Sequence, residues 1–324
     1  MTGKSIIIDC DAGIDDALAL IILIAAHKQK EIEIKAITCV NGNTTVENVV
    51  KNVFKTLDVC EVTDIPVFQG AYAPLLCTQH TEQAAEEQYH GGDGFGDVYT
   101  TKMDTSSLQT EHAVCAMNRI VSQYPDRITV VCMGPLTNIA LAIKMYPHFV
   151  ENVKEFYVMG GNITAQGNIT PQAEFNFYMD PESVHIVLNC NKKPLWLLPW
   201  ETCLKSYISH EWRQKVFGQI EKPCIQLMND IEDGCSKTRK KHFPTYIVCD
   251  AILAGILLRP KIAQDVIEYH ADIELSGNRT RGQVVLDHLL SNKPNVFLIQ
   301  RFDSEMFKDL LISSVHNCHK IDVQ

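Results

Sequence analysis

Short apolar segments alternate with longer amphipathic ones along most of this chain, and this alternation is what most limits the folds open to it. Strands are predicted at residues 5–9, 32–40, 127–133, 153–159 and 194–198. Helices are predicted at 15–28, 46–59 and 139–145, and from about residue 180. Strands that alternate with helices in this way usually pair in parallel and are covered by helices on both faces.

Beyond residue 260 the pattern becomes β-rich, with strands predicted at 266–275, 284–287 and 296–299 and a last helix at 302–313. We therefore predict an α/β fold with a single domain over residues 1–324. Its core would be a Rossmann-like, mostly parallel (mixed) sheet flanked by helices on both faces. Ligands of such sheets bind at the carboxyl ends of the strands.

The charge balance and the cysteines limit the partners and the compartment. Lys and Arg total 29 against 39 Asp and Glu. The formal net charge of −10 argues against a nucleic acid polymer or an anionic membrane as partner, but not against a small neutral molecule. The 12 cysteines lie singly in apolar segments, and residues 1–4 lead directly into a strand rather than into a signal peptide. We expect a cytoplasmic protein with free thiols.

Four aspartates, Asp9, Asp11, Asp15 and Asp16, follow or end the first predicted strand, in a turn that Gly13 is expected to permit. Crowded carboxylates repel one another, and a hard divalent cation such as Ca²⁺ offsets that repulsion. The loop contains no histidine, which argues against zinc. Two other interpretations stay open. The acids could simply favour a helix dipole, or they could belong to a Mg²⁺-dependent phosphatase of the haloacid dehalogenase type, with Asp9 as nucleophile.

Other polar or glycine-rich turns also fall where predicted strands end, at residues 41–43, 133–134 and 160–161. Parallel pairing would place all of them beside the aspartates. Two further stretches, 79–97 and 231–246, are expected to be loops over the site, with ordinary surface loops as the alternative.

The run Ile-Asp-Cys-Asp-Ala-Gly-Ile-Asp-Asp-Ala at 8–17 closely resembles the DTDxGxDDAxA signature of the inosine-uridine-preferring nucleoside hydrolase family. Further segments resemble that family in the same order. Gly42-Asn43 is similar to its VxGN turn, residues 133–140 to TGPLTNIA, and residues 159–182 to MGG…GNxxPxAEFNxxxDPE. Cys249-Asp250 stands where the family has His-Asp or Trp-Asp. Together these matches cover most of residues 5–255.

The resemblance implies an N-ribohydrolase that splits ribonucleosides into ribose and free base by attack of a metal-bound water on C1′. It implies four protein ligands for Ca²⁺, with Asp11 also acting as general base: Asp11, Asp16, Asp250 and the backbone carbonyl of Met133. It implies contacts to the 2′,3′ side of the ribose from Asp15, Asn43 and Asn176, and also from Asp250. At the 5′ side it implies Asn168, Glu174 and His90. Relatives are dimers or tetramers, so a homodimer or homotetramer is expected, with a role in purine or pyrimidine salvage.

Cys249 is the main departure from the family pattern, and it resembles a third branch of the family that carries Cys there. Its thiol could donate a proton or a hydrogen bond to the departing base, or it could be a small packing residue of a helix. Candidates for contact with the base are Trp200, His242, Phe243 and Tyr246, each with a plain alternative as a loop or core side chain. A non-catalytic nucleoside-binding or Ca²⁺-binding relative also stays open.

Overall fold

The computed structural model describes residues 3–77, 89–190, 193–236 and 243–318, and a sheet of eight strands runs through its centre. In chain order the strands of the protein are β1 (Lys4–Cys10), β2 (Ile32–Cys39), β3 (Val67–Gln69), β4 (Ile128–Cys132), β5 (Val153–Met159), β6 (Leu195–Leu198), β7 (Ala263–Tyr269), β8 (Ala271–Ile273), β9 (Val284–Leu286) and β10 (Val296–Phe302). The order across the main sheet is β3-β2-β1-β4-β5-β6-β10-β7. Neighbours pair in parallel except β7, which is antiparallel to β10.

The helices of the described residues connect these strands and cover both faces of the sheet. They are α1 (Ile14–Lys28), α2 (Val46–Val59), α3 (Ala113–Gln123), α4 (Thr137–Met145), α5 (Phe149–Asn152), α6 (Phe175–Met179), α7 (Pro181–Cys190), α8 (Trp200–Cys203), α9 (His210–Lys215), α10 (Pro223–Ser236), α11 (Cys249–Leu258) and α12 (Ser304–Cys318). None of these helices is long and apolar enough to cross a membrane.

Alternation along each strand sends apolar side chains into two separate cores. In β1, Ile6 and Ile8 lie in the core under α1, whereas Ile7 lies in the core under α3 and α4. Helix α1 is buried on almost all sides, because it packs against α2, α10, α11 and α12 as well as the sheet. That burial explains why its sequence is apolar all round rather than along one stripe. The predicted fold class, a mostly parallel α/β sheet in a single domain, is confirmed.

The strand predicted at 266–275 is wrong in one respect, because the structure divides it at His270. Strand β7 stays in the main sheet, while β8 pairs with β9 in a separate two-stranded sheet. Asn295 explains the break. Its side chain accepts the N–H of Ala271 (2.7 Å) and donates to the carbonyl of Ala271 (2.9 Å), so these backbone groups are satisfied outside the main sheet.

Candidate active site

The candidate site lies at the carboxyl ends of β1 and β4, where the chain connections diverge. From β1 the chain moves outward through β2 and β3, and from β4 it moves the opposite way through β5 and β6. A crevice opens at such a point, because the two sets of loops turn away from each other. Asp11 directly follows β1, and Met133 directly follows β4.

Gly13 was expected to permit the tight turn after β1 through its backbone freedom. In the structure it is needed because other side chains lie too close for a Cβ at this position. Gly13 has an ordinary φ of −84°, whereas Ala12 has the positive φ, +29°. A side chain at Gly13 would lie 2.6 Å from Asn43 Nδ2 and 2.8 Å from His90 Nδ1, so glycine is required for close packing. Asn52 Nδ2 donates a hydrogen bond to the Ala12 carbonyl (3.0 Å) and thereby stabilises the turn.

Four carboxylates meet at the crevice. One carboxylate oxygen from each of Asp15, Asp16 and Asp250 lies within 4.8 Å of the others. Burial is the main cause that raises the pKa of Asp250 well above its ordinary value, and the negative charges of Asp15, Asp16 and Asp11 raise it further. Burial and then Asp16 likewise raise the pKa of Asp11. These four acids therefore form one electrostatic group.

The group fits a hard cation. The Oδ1 atoms of Asp11, Asp16 and Asp250 are buried without a hydrogen-bond partner among the described residues. Among the described residues no lysine or arginine pairs with the four acids, and the basic side chain beside Asp15 is His90, whose Nε2 lies 4.0 Å from Asp15 Oδ1. Buried carboxylate oxygens without a partner are costly unless a cation compensates them, and carboxylate oxygens are preferred ligands of Ca²⁺ and Mg²⁺. Of the three carboxylates predicted as ligands, Asp16 and Asp250 lie within 4.8 Å of each other together with Asp15. Asp11 adjoins this group and interacts with Asp16 and Asp250 through its charge.

Asn43, in the turn after β2, orients two of these carboxylates. Its backbone N–H donates to Asp11 Oδ2 (2.8 Å), and its side-chain amide donates to Asp16 Oδ2 (3.3 Å). A Cβ at the preceding Gly42 would overlap Asp11 Oδ2, so only glycine lets the turn approach this closely. The turn that was predicted from the sequence to contact ribose therefore also holds the acids in place.

Asn176, in α6, connects the ends of β4 and β5. Its side-chain amide donates to the carbonyls of Met133 (3.0 Å) and Met159 (3.3 Å). A carbonyl oxygen has two acceptor positions, so the bond from Asn176 leaves one position of Met133 O for a metal. The fourth predicted ligand is thereby oriented by a residue that was itself predicted to contact ribose.

Glu174 caps the amino terminus of α6 and is almost fully buried. Its carboxylate accepts hydrogen bonds from the N–H groups of Gly161 (2.8 Å), Asn176 (2.8 Å) and Phe177 (3.1 Å). Burial raises the pKa of Glu174 to about 7, although these three bonds lower it. Asn168, the other residue predicted to contact the 5′-hydroxyl, lies in the irregular segment that precedes Glu174.

His90 lies against the start of α1. Its Nδ1 accepts the N–H of Ile14 (3.0 Å), and its Nε2 lies 4.0 Å from Asp15 Oδ1. Of the stretch 79–97, residues 89–97 are described, and Asn52 joins them to α2 by donating to the carbonyl of Asp93 (2.8 Å). The described part of this stretch therefore adjoins the aspartates.

Cys249 lies in the first turn of α11, directly before Asp250, and is buried. The neighbouring thiol of Cys203 and then burial raise its pKa well above the ordinary value. Cys249 is consequently a neutral thiol at physiological pH, which can donate a weak hydrogen bond but is not a nucleophile.

The aromatic residues predicted to contact the base lie near one another where they are described. Trp200 is buried, and its ring meets that of Phe243 edge-on with centroids 5.4 Å apart. Tyr246 is buried as well and donates its hydroxyl to Glu232 (2.8 Å). His242 lies outside the described residues.

Asp9 takes part in a separate junction beneath the aspartates. Its Oδ1 accepts hydrogen bonds from Thr38 (2.7 Å) and from the side-chain amide of Asn138 (2.8 Å). Asn138 also accepts the N–H of Ala71 (2.9 Å), so the junction joins β1, β2 and α4 to the loop after β3. These bonds support a structural role for Asp9 over that of a phosphatase nucleophile.

Two buried polar residues of the site region were missed in the sequence. Asn162 and Glu201 are 0% and 5% exposed, and both hold the irregular segment 162–174 that carries Asn168. The available signal for Glu201 was a single acid in the apolar run 195–203. Asn162 carried no such signal, because asparagines are frequent in that segment.

Comparison with known proteins identifies similar chains over nearly the whole length. The sequence profile of the family described as "Inosine-uridine preferring nucleoside hydrolase" matches residues 6–309. A pyrimidine-specific ribonucleoside hydrolase, RihA of Salmonella gallinarum, is 33% identical over 311 residues, which are 94% of this chain and 96% of that protein. An inosine-uridine preferring nucleoside hydrolase of Leishmania major is 35% identical over 286 residues, 88% of each chain. The solved structure of an inosine-guanosine nucleoside hydrolase superposes with a TM-score of 0.84 at 28% identity, covering 96% of this chain and 98% of that one.

Proposed function

Since this chain belongs to the inosine-uridine preferring nucleoside hydrolase family, we propose that it hydrolyses the N-glycosidic bond of ribonucleosides with Ca²⁺ as its bound metal. The observation that carries the proposal is the acidic group in which Asp11, Asp16 and Asp250 are buried with unpartnered Oδ1 atoms, with the half-buried Asp15 beside them. The proposed metal ligands are Asp11, Asp16, Asp250 and the carbonyl of Met133. Carboxylates combined with a backbone carbonyl are typical of calcium sites.

In the proposed reaction, the oxygen of a water molecule bonds to C1′ while the C1′–N bond breaks, and the electron pair of that bond leaves on the base. Asp11 accepts the proton of the water as general base. A bound Ca²⁺ would lower the pKa of that water and bind the vicinal hydroxyls of the ribose. The remaining negative charge of the carboxylates favours the positive charge that develops on the ribose ring.

The ribose is proposed to be held on two sides. Asp15, Asn43, Asn176 and Asp250 face its 2′,3′ side, and Asn168, Glu174 and His90 its 5′ side. Rigid holding of the sugar converts binding energy into alignment of C1′ with the water. The departing base is proposed to meet the aromatic pair Trp200 and Phe243 and the thiol of Cys249, whose raised pKa keeps it protonated as a hydrogen-bond donor.

The relatives differ in the base they are named for: one is pyrimidine-specific, one inosine-uridine preferring and one an inosine-guanosine hydrolase. The proposal therefore covers ribonucleosides as a class, in purine or pyrimidine salvage. A cytoplasmic location is supported by the 12 free cysteines. A homodimer or homotetramer, and closure of the stretches 79–97 and 231–246 over the bound nucleoside, stay predictions.

The test is release of reducing sugar from ribonucleosides that carry each common base, with and without a calcium chelator. We expect the chelator to abolish release and added Ca²⁺ to restore it better than Mg²⁺. Asp250→Asn should lose Ca²⁺ binding in calorimetry and lose ribose release. Asp9→Asn is the matched buried control, and it should keep both because Asp9 bonds only to Thr38 and Asn138 among the described side chains. Ribose release at an unchanged rate in the presence of the chelator, or no release from any nucleoside, would refute the proposal.

A further inference from the structure

The segment 162–174 carries the two proposed 5′-hydroxyl contacts, Asn168 and Glu174, yet it contains no helix or strand before α6. Such a segment lacks the regular backbone hydrogen bonds that fix a strand or a helix in place. Backbone hydrogen bonds within the segment, from Gly167 N–H to the Pro171 carbonyl (3.1 Å) and from Asn168 N–H to the Ala173 carbonyl (3.1 Å), set its local shape. Side-chain hydrogen bonds attach it to the rest of the fold. Two buried polar residues, Glu201 and Asn162, supply these side-chain hydrogen bonds.

Glu201 holds the first half of the segment. Its Oε1 accepts hydrogen bonds from the N–H of Thr164 (2.7 Å), the hydroxyl of Thr164 (2.9 Å) and the N–H of Gln166 (3.3 Å). The N–H of Ile163 lies 3.0 Å from both carboxylate oxygens. Hydrogen bonds to an ionised acceptor are about twice as strong as neutral ones. Because Glu201 lies in α8, directly after β6, it ties the segment to the main sheet.

Asn162 holds the second half and closes the segment on itself. Its amide group donates to the carbonyls of Gln172 (2.7 Å) and Gln166 (3.4 Å). Its Oδ1 accepts the N–H of Val284 (3.1 Å), in β9 of the small sheet. One fully buried side chain thus joins both ends of the segment to a separate part of the fold.

We propose that Glu201 and Asn162 are positioning residues that set the dependence of the enzyme on the 5′-hydroxyl of its substrate. The inference rests on the proposed function, in which Asn168 and Glu174 contact that hydroxyl. Both side chains are engaged by backbone groups of the segment, so they act through Asn168 and Glu174 and not on the substrate. If the segment were displaced by a few tenths of an ångström, the hydrogen bonds to the 5′-hydroxyl would lengthen while the metal ligands stay in place.

The test compares kcat/KM for a ribonucleoside and for its 5′-deoxy analogue. In the wild-type enzyme the ratio should be about tenfold to a hundredfold, which is the usual effect of a hydrogen bond to a charged group. Asn162→Asp is the sharpest variant, because it places a carboxylate oxygen 2.7 Å from the Gln172 carbonyl where a donor stood. In this variant and in Glu201→Gln we expect the ratio to fall towards one, through loss of activity on the ribonucleoside alone.

Asn295→Asp is the matched control. Asn295 is also a buried asparagine that donates to two carbonyls, those of Leu188 (3.0 Å) and Ala271 (2.9 Å), but neither carbonyl belongs to the segment 162–174. It should lower the melting temperature and keep the wild-type ratio. If either site variant fails to fold, Thr164→Val removes one bond to Glu201 and should lower the ratio by a smaller factor.

Each outcome decides the inference. Folded variants that keep the wild-type ratio would overturn it and leave the proposed function intact. A wild-type enzyme that releases ribose with a ratio of one would show that Asn168 and Glu174 do not bind the 5′-hydroxyl, and the inference would fail with that assignment. A wild-type enzyme that releases no ribose would overturn the proposed function and the inference together.

Discussion

Glu174→Gln tests whether the carboxylate at the 5′ side is destabilising in its charged form. The side chain is almost fully buried, and burial raises its pKa from an ordinary 4.5 to about 7. The folded protein therefore binds more protons than the unfolded chain between these two values, and this residue lowers the free energy of unfolding as the pH rises through that window. Glutamine does not titrate, so the variant lacks this loss.

The size of the effect follows from the two pKa values. At 1.36 kcal/mol per pKa unit, the wild-type protein should lose on the order of 2 to 3 kcal/mol relative to the variant between about pH 5 and about pH 8. The amide of the variant also faces backbone N–H donors, which adds a cost that does not depend on pH. The quantity to measure is therefore how the difference in the free energy of unfolding between variant and wild type changes from one pH to the other. The difference at a single pH does not test the reasoning.

The assay is urea unfolding followed by tryptophan fluorescence at both pH values, with chelator present so that metal binding does not contribute. Glu221→Gln, at an exposed glutamate, is the control and should change the difference by less than about 0.5 kcal/mol. If the free energy of unfolding of Glu174→Gln minus that of the wild type stays constant or decreases as the pH rises, the electrostatic reasoning is refuted.

Three further predictions concern the same site. Gly42→Ala should reduce ribose release by at least roughly tenfold in a folded protein, because its Cβ would overlap Asp11 Oδ2; full activity would contradict the close packing of that turn. A 2′-deoxyribonucleoside should be cleaved more slowly by a factor on the order of 10⁴, as kcat/KM measurements will show, since the buried partners of the 2′-hydroxyl would be left unpaired. Cys249→Ala should lower kcat by about tenfold if its thiol contacts the departing base. Cys203→Ala removes only the neighbouring thiol and should keep the wild-type kcat. Equal kcat values in the two variants would assign Cys249 to packing.

Local patterns predicted the regular elements well. Helix α2 and strand β5 have the bounds that were expected, because hydrophobic periodicity within one segment determines them. The pattern failed at 266–275, where the division into β7 and β8 depends on Asn295, a residue from a later part of the chain. A sequence pattern does not contain such a long-range hydrogen bond.

The residues of the candidate site were likewise predicted from the sequence only in part. The aspartates after β1 were found from charge crowding and from the family resemblance, because they stand close together in the sequence. Glu201 and Asn162 were missed because their partners are backbone N–H and carbonyl groups of an irregular segment, which have no residue signature. The role of Gly13 was misjudged for a related reason, since its neighbours Asn43 and His90 come from other loops.

The four carboxylates have a consequence for how the protein matures during synthesis. Asp11, Asp15 and Asp16 leave the ribosome long before Asp250, because more than 200 residues separate Asp250 from them in the sequence. A nascent chain that lacks α11 holds three mutually repelling acids without their fourth member. With the proposed metal site, high affinity for the cation would therefore arise only when α11 docks on α1, so that metal capture would report the formation of this contact between an early and a late part of the chain.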